Sequence, residues 1–212
     1  MAHKKTKTRN ALKDLTRRHI HEAVIRAVTR VGVNGLTMDM IAEEARIAKG
    51  TIYLHFRTKD ELVRETIATC LAPMVDELVA ILESDLPPDE RLLRFTRRHL
   101  AYFEDHRYLF RVLVHERGRT RIRGGRHRSG VYEKLVEKTT AAIALGVQSG
   151  VFRSVDPVRI AGMVVDANIT VIGQRLLEDQ PASARDDADF LCGVFMNGIR
   201  RLPATDNRGE PL

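Results

Sequence analysis

The sequence predicts an all-α protein of about nine helices. No run alternates apolar and polar residues over the length of a strand, whereas the i, i+3, i+4 spacing of apolar residues recurs along almost the whole chain. Capping residues, prolines and glycines stand where those apolar periods begin and end.

The first helix is expected from Leu15 to Val31, with Ile20, Ala23, Val24, Ala27, Val28 and Val31 on its apolar face. Gly32 and Asn34-Gly35 end it. Thr37 starts a short second helix. Thr58 followed by Glu61 is a capping box, so a long helix begins there, carrying Leu62, Ile67, Leu71, Val75, Leu78 and Ile81, with Pro73 as a point where it can kink. Later starts are marked by Leu86-Pro87-Pro88, by Asp105, by Asp156-Pro157 and by Ser183 with Asp186 behind it. Residues 117–129, RGRTRIRGGRHRS, have no apolar period and read as a solvated arginine-rich loop, with an anionic ligand or a phosphate backbone as the less favoured reading.

The 212 residues, 43% of them hydrophobic, allow one large or two modest domains with ample core. Cys70 and Cys192 make no disulfide framework and read as small buried hydrophobes in a reducing compartment. The start, MAHKKTKTRN, has a signal peptide's charge without its apolar run, and no later segment is apolar enough to span a bilayer. A cytoplasmic protein without a membrane partner is expected.

Charge divides the chain. Residues 1–60 hold 13 of the 35 basic and 6 of the 28 acidic residues, so the remainder is balanced and the net +7 belongs to the first 60. A basic head on a neutral body fits a protein that presents one end to a polyanion.

Within that head, Leu36 to Leu62 reads as a helix-turn-helix. Ile41, Ala42 and Ala45 supply the inner face of its first helix, Ile47 plugs the turn, and Ile52 and Phe56 anchor the second helix. Lys49, Gly50, Thr51, Tyr53, Leu54 and His55 are left outward or sideways. Lys49 and Thr51 have the chemistry to reach base edges or phosphates, and Gly50 permits close backbone approach. Tyr53, His55 and Lys59 suit phosphate oxygens, and Thr37 offers a hydroxyl beside free backbone N–H groups. Bracing of the helix pair is the competing role for Tyr53 and His55, and a solvated helix-end charge is that for Lys59. Lys4, Lys5, Lys7 and Arg9 form a basic arm suited to the DNA backbone or minor groove, or a solvated tail.

The run Ile20, Ala23, Gly32, Thr37, Ile41-Ala42, Ala45, Ile47, Gly50-Thr51-Ile52-Tyr53, His55-Phe56 and Lys59-x-x-Leu62 resembles the signature of the tetracycline-repressor (TetR) family of bacterial transcriptional regulators, without gaps over residues 20–62. Beyond Leu62 only the helical plan and the Gly150 to Pro157 junction agree. The resemblance implies an Ω-shaped, all-α homodimer whose N-terminal domains bind a palindromic operator in double-stranded DNA and whose C-terminal domains hold a small-molecule effector. Two positions depart from the pattern. Arg46 stands where a turn glycine is usual, and a non-glycine residue forced to positive φ there costs about 1 kcal/mol, so either the turn differs slightly or a phosphate contact of Arg46 recovers the cost. Ala48 replaces a Ser or Thr cap, a loss of about 1 kcal/mol.

The expected domains are a basic flexible arm (1–13), a helix-turn-helix DNA-binding domain (14–58), a helical regulatory and dimerisation domain (59–202) and a flexible tail (203–212). Arg159 to Leu177 is apolar on more than one face and so needs burial on more than one side. With Gly193 and Gly198 allowing close approach, Ile160, Val164, Ala167 and Val171 join Phe190, Val194, Phe195 and Ile199 as the expected faces of a four-helix bundle across a two-fold axis. The alternative is burial within one subunit. Met74, Phe95, His99, Phe103, Phe110 and Met163, with Asp166 and Asn168 as polar options, are the candidates for an effector pocket, with plain core the favoured role of any one of them taken singly.

An enzyme is disfavoured. No phosphate loop, nucleophile motif or metal-ligand set is present, Gly124-Gly125 follow no strand, and His19 and His21 point to different helix faces. No cofactor or metal is expected. The remaining alternative is a DNA-binding protein of the same fold without an inducer, acting with a protein partner or as an architectural element.

Overall fold

The computed structural model describes residues 2–106, 130–177 and 183–200, with side chains described from residue 11 onward. Eight helices are seen among the described residues: α1 (Ala2–Gly35), α2 (Met38–Glu44), α3 (Lys49–Tyr53), α4 (Lys59–Leu82), α5 (Pro88–Asp105), α6 (Gly130–Gln148), α7 (Pro157–Leu177) and α8 (Ala184–Ile199). The only bridge pairing described joins Phe152 to Arg200. The helix expected to follow Asp105, the arginine loop 117–129 and the tail 203–212 lie outside the described residues. Asp105 itself is the last residue of α5.

α1 starts earlier than the periodicity implies. The backbone of residues 2–13, expected as an arm, is helical and continuous with the rest of α1. The sequence carries no proline or glycine before Gly32, and Lys, Arg, Ala and Leu are good helix formers, so nothing local stops the helix. Gly32 breaks it as expected, at φ 71°, where residues with a side chain are rarely found.

The caps largely follow the sequence. The Thr37 hydroxyl accepts from the Met40 N–H at 3.2 Å and opens α2. At α4, the Glu61 N–H donates to Thr58 Oγ1 at 3.1 Å, while the Glu61 carboxylate reaches the N–H of Arg57, one residue before the cap. Pro88 opens α5, Asp156 accepts from the N–H groups of Val158 and Arg159, and Ser183 accepts from that of Arg185. Ala48 caps α3 with no side-chain bond, as its methyl requires.

The chain divides into two compact units between Leu71 and Ala72, inside α4. The head extends past residue 58 because the first turns of α4 bury Leu62, Val63, Thr66 and Ile67 in it. Pro73, which has no N–H for the Thr69 carbonyl, follows the division directly; α4 nevertheless runs on to Leu82.

The body has its own core, with Phe95, Leu100, Ile143, Ala161 and Val165 almost fully buried. In the connection between α6 and α7, Phe152 packs where a Cβ on Gly146 would stand 2.2 Å from its ring, so only glycine fits there. The Arg153 N–H donates to the Ile199 carbonyl at 2.9 Å, tying this connection to the end of α8. No described helix is long and apolar enough to cross a membrane.

Candidate nucleic-acid interface

α2 and α3 are locked from behind. Ile41, Ala45, Ile52 and Phe56 are at most 1% exposed, and the Ile47 N–H donates to the Ala42 carbonyl at 3.0 Å across the turn. The carbonyl of Ala45 accepts from Nε2 of His19 on α1 at 2.8 Å. Arg17 lies over the Phe56 ring, 4.4 Å from its centroid, donates to the His55 carbonyl and pairs with Glu65. His21 meets Phe56 edge-on and shares a 2.8 Å hydrogen bond with Thr66 Oγ1. That hydroxyl gives its proton to the Leu62 carbonyl, so Nδ1 of His21 is the donor. Burial, then the charge of Arg17, lowers the pKa of His21, while Glu65 opposes them. On the other flank Glu44 takes Arg26 and Arg30, and the Arg26 hydrogen bond foremost lowers its pKa.

The turn holds the departure foreseen at Arg46, whose φ is 52°. It is the single non-glycine residue with positive φ among the described residues, and its side chain is exposed.

The expected contact residues divide by what already holds them. Gly50 and Tyr53 are exposed, Tyr53 to 48%, and a Cβ on Gly50 would meet nothing within 4 Å. Thr51 is half-buried. Lys49 is exposed but paired, its Nζ 2.8 Å from Asp39 Oδ1, and that hydrogen bond foremost raises its pKa. Lys59 donates to the Leu36 carbonyl at 2.9 Å, which fixes the start of α4 to the α1–α2 connection. His55 is half-buried beside Phe56, and burial foremost lowers its pKa, ahead of the charges of Arg17 and Lys13. The Thr37 hydroxyl is engaged by its own helix. Leu54 is 84% exposed, the highest value for a large apolar side chain among the described residues, and was not among the expected contacts. The helical wheel alone places it opposite Ile52 and is the signal that finds it.

In the body, the residues expected to face a second copy do not all face outward. Val164 and Ile199 are 2% and 3% exposed and belong to their own unit's core. α7 turns Ala161, Val164, Val165, Asn168, Ile172 and Arg175 inward, leaving Ile160, Ala167 and Val171 at the margin. On these two helices the outward large apolar residues are Val158 and Met163 of α7 and Phe190 and Val194 of α8, with Phe195 half-buried.

The expected effector residues also separate. Met163 and Asp166 stand on the outer side of α7, because they flank its buried stripe, and so leave the pocket set. Phe110 lies outside the described residues. Met74, Phe95, His99, Phe103 and Asn168 are all buried. Phe95, His99 and Phe103 line up along α5 with ring centroids 5.6 and 5.9 Å apart, and Asn168 Nδ2 lies 3.4 Å from His99 Nδ1 and 3.5 Å from Thr96 Oγ1. Asn168 Oδ1 and Thr139 Oγ1 are buried without a hydrogen-bond partner. Burial raises the thiol pKa of both cysteines; Cys192 is buried as expected, whereas Cys70 is only half-buried.

Residues 20–66 match the family described as bacterial regulatory proteins, tetR family. The HTH-type transcriptional regulator YhgD of Bacillus subtilis is 25% identical over 180 residues, 85% of this chain and 94% of that one. A TetR transcription regulator from Haloarcula marismortui superposes with a TM-score of 0.73 at 20% identity, over 89% of this chain and all of that one. Bacillus subtilis FadR, solved in complex with stearoyl-CoA, does so with 0.68 at 16% identity, over 86% and 99% of the two chains. The match at residues 20–66 places the tetR-family likeness on the helix-turn-helix of the head, and the structural likenesses extend a shared helical fold over both units.

Proposed function

We propose that the chain is a homodimeric repressor that binds a palindromic operator through α2 and α3 and is released by a small-molecule effector. The observation that carries this is the head's asymmetry: every apolar anchor and brace of α3 lies behind it, while Gly50, Tyr53 and Leu54 stand free in front, flanked by Lys49 and Arg46. Thr37, Thr51, His55 and Lys59 complete the proposed contact surface at its edges. DNA binding falls to the head, which includes α4 as far as Leu71, and regulation and dimerisation to the body from Ala72 onward.

Two copies are required because one short helix meets too few base pairs for useful specificity. Phe190 and Val194, 70% and 56% exposed one helical turn apart, are the strongest apolar face for that contact, with Ile160, Ala167, Val171 and Phe195 at its rim. The effector reading rests on Asn168, whose Oδ1 is buried without a partner while its Nδ2 lies near Thr96 and His99 on α5, since a buried acceptor without a donor costs free energy that a ligand donor would recover; Thr139 Oγ1 is likewise buried without a partner, and Met74, Phe95 and Phe103 are the apolar candidates. Release follows when the effector favours a spacing of the two recognition helices that does not fit DNA, and α4, which carries residues of both units, is the covalent link.

Selection from a random duplex pool tests the reading. Enrichment of a palindrome with half-sites about 34–36 Å apart, and its release by members of a metabolite and drug panel, is expected. Enrichment without any releasing compound favours the inducer-free alternative. Failure to enrich any sequence removes the DNA-binding reading.

A further inference from the structure

We infer that Leu54 is a base-reading residue that packs against the 5-methyl group of one thymine in each operator half-site. The inference rests on the DNA-binding reading above and specifies what its recognition helix reads.

α3 is anchored by Ile52, which is fully buried. At about 100° per residue, Leu54 stands about 200° and Gly50 about 160° around the helix from Ile52, so these two form the ridge furthest from the protein. Leu54 keeps the helical backbone, at φ −69° and ψ −21°, and its N–H donates to the Gly50 carbonyl at 3.2 Å, so the ridge is continuous through it. Lys49 and Tyr53 lie on one flank of the ridge and Thr51 on the other.

The two ridge residues explain each other. A Cβ on Gly50 would meet open space, so nothing within the protein requires glycine at a helical position where alanine is about 1 kcal/mol better. The requirement lies outside, in a surface that approaches the backbone closely. Once Gly50 allows that approach, the side chain reaching the groove floor is Leu54, 84% exposed and without a hydrogen-bonding group. The major-groove edges of the four base pairs carry one alkyl group, the thymine methyl. An apolar side chain on the leading ridge of a helix with polar flanks is therefore matched to thymine and to no other base edge.

The operator selected from the random pool by the full chain is titrated with duplexes in which each thymine is replaced in turn by deoxyuridine, which removes only the methyl group. Wild-type protein is expected to lose about fourfold in affinity at one thymine per half-site, and about fifteenfold when the symmetric pair is replaced. Leu54→Ala should bind the thymine and deoxyuridine duplexes equally, with an unchanged salt slope, because no phosphate contact is lost. An enriched palindrome with no methyl-sensitive thymine overturns the inference while leaving the DNA-binding reading intact. So does Leu54→Ala that keeps the full methyl sensitivity. Failure to enrich any palindrome removes both. Circular dichroism of Leu54→Ala should match wild type, since the side chain removed touches little of the protein.

Discussion

Arg46→Gly should move stability and operator binding in opposite directions. The residue sits at φ 52° in the α2–α3 turn, its N–H donating to the Glu43 carbonyl at 3.0 Å, so the left-handed conformation is built into the turn. Glycine relieves about 1 kcal/mol of steric cost at such a position. For a chain of this length that corresponds to about 2–4 °C in Tm. If the exposed guanidinium meets a phosphate, the same substitution removes one ionic contact per protomer. The slope of log K against log salt should then shrink by about 0.9 per protomer, about 1.8 for a dimer on its operator. Thermal unfolding followed by circular dichroism, and operator titrations at several salt concentrations, give the two readouts separately. An unchanged or lower Tm refutes the strain argument. A raised Tm with an unaltered salt slope refutes the phosphate contact, and Arg46 is then a turn residue only.

Three further substitutions probe other parts of the molecule. Asp39→Asn frees Lys49 from a pair so exposed that its loss should leave Tm within about 1 °C; DNA affinity and salt slope should both rise, and unchanged binding would show that Lys49 meets no phosphate. Phe190→Glu, on a side chain 70% exposed, should leave each subunit folded but halve the mass seen by sedimentation at micromolar concentration, whereas an unaltered dimer would place the interface elsewhere. His21 is held neutral with its pKa below 6.5, while the unfolded chain takes up that proton near 6.5, so its contribution to stability is complete above that pH and is lost as pH falls toward the folded value. Urea unfolding at pH 7.5 and 5.5 should show that loss in wild type and a smaller one in His21→Gln, which keeps an N–H for Thr66; equal losses would mean that His21 does not titrate with folding.

The head was legible because its constraints are local. The Thr37 cap, the Gly32 break, the Arg46 turn and the uncapped Ala48 are each decided by one residue and its immediate neighbours, and all four stand where the sequence puts them. What escaped there depends on contacts between elements distant in sequence. The Arg17 to Glu65 pair, the His21 to Thr66 bond and the Lys59 tether to Leu36 join residues 23 to 48 positions apart, and they carry the head into α4 beyond the expected boundary at residue 58. The Asp39 to Lys49 pair is nearer in sequence, but its existence depends on the angle between two helices.

The body was harder for a different physical reason. A helix apolar on several faces, such as α7, gives no single stripe, and its composition cannot say which face meets its own core and which is left over. Val164 and Met163 are adjacent and similarly apolar, yet one is 2% and the other 57% exposed. Polar residues resolve that ambiguity better than apolar ones. Asn168 is fully buried, and with Arg175, tied to Glu104 and Asp187, it marks the inward stripe of α7. Because a buried amide needs partners that apolar neighbours cannot supply, the position of Asn168 orients the helix and at the same time locates the unsatisfied acceptor on which the effector reading depends. The same logic, applied to Leu54 in reverse, ties function to the head: an apolar group left in water on a polar, basic surface points to the ligand that will cover it.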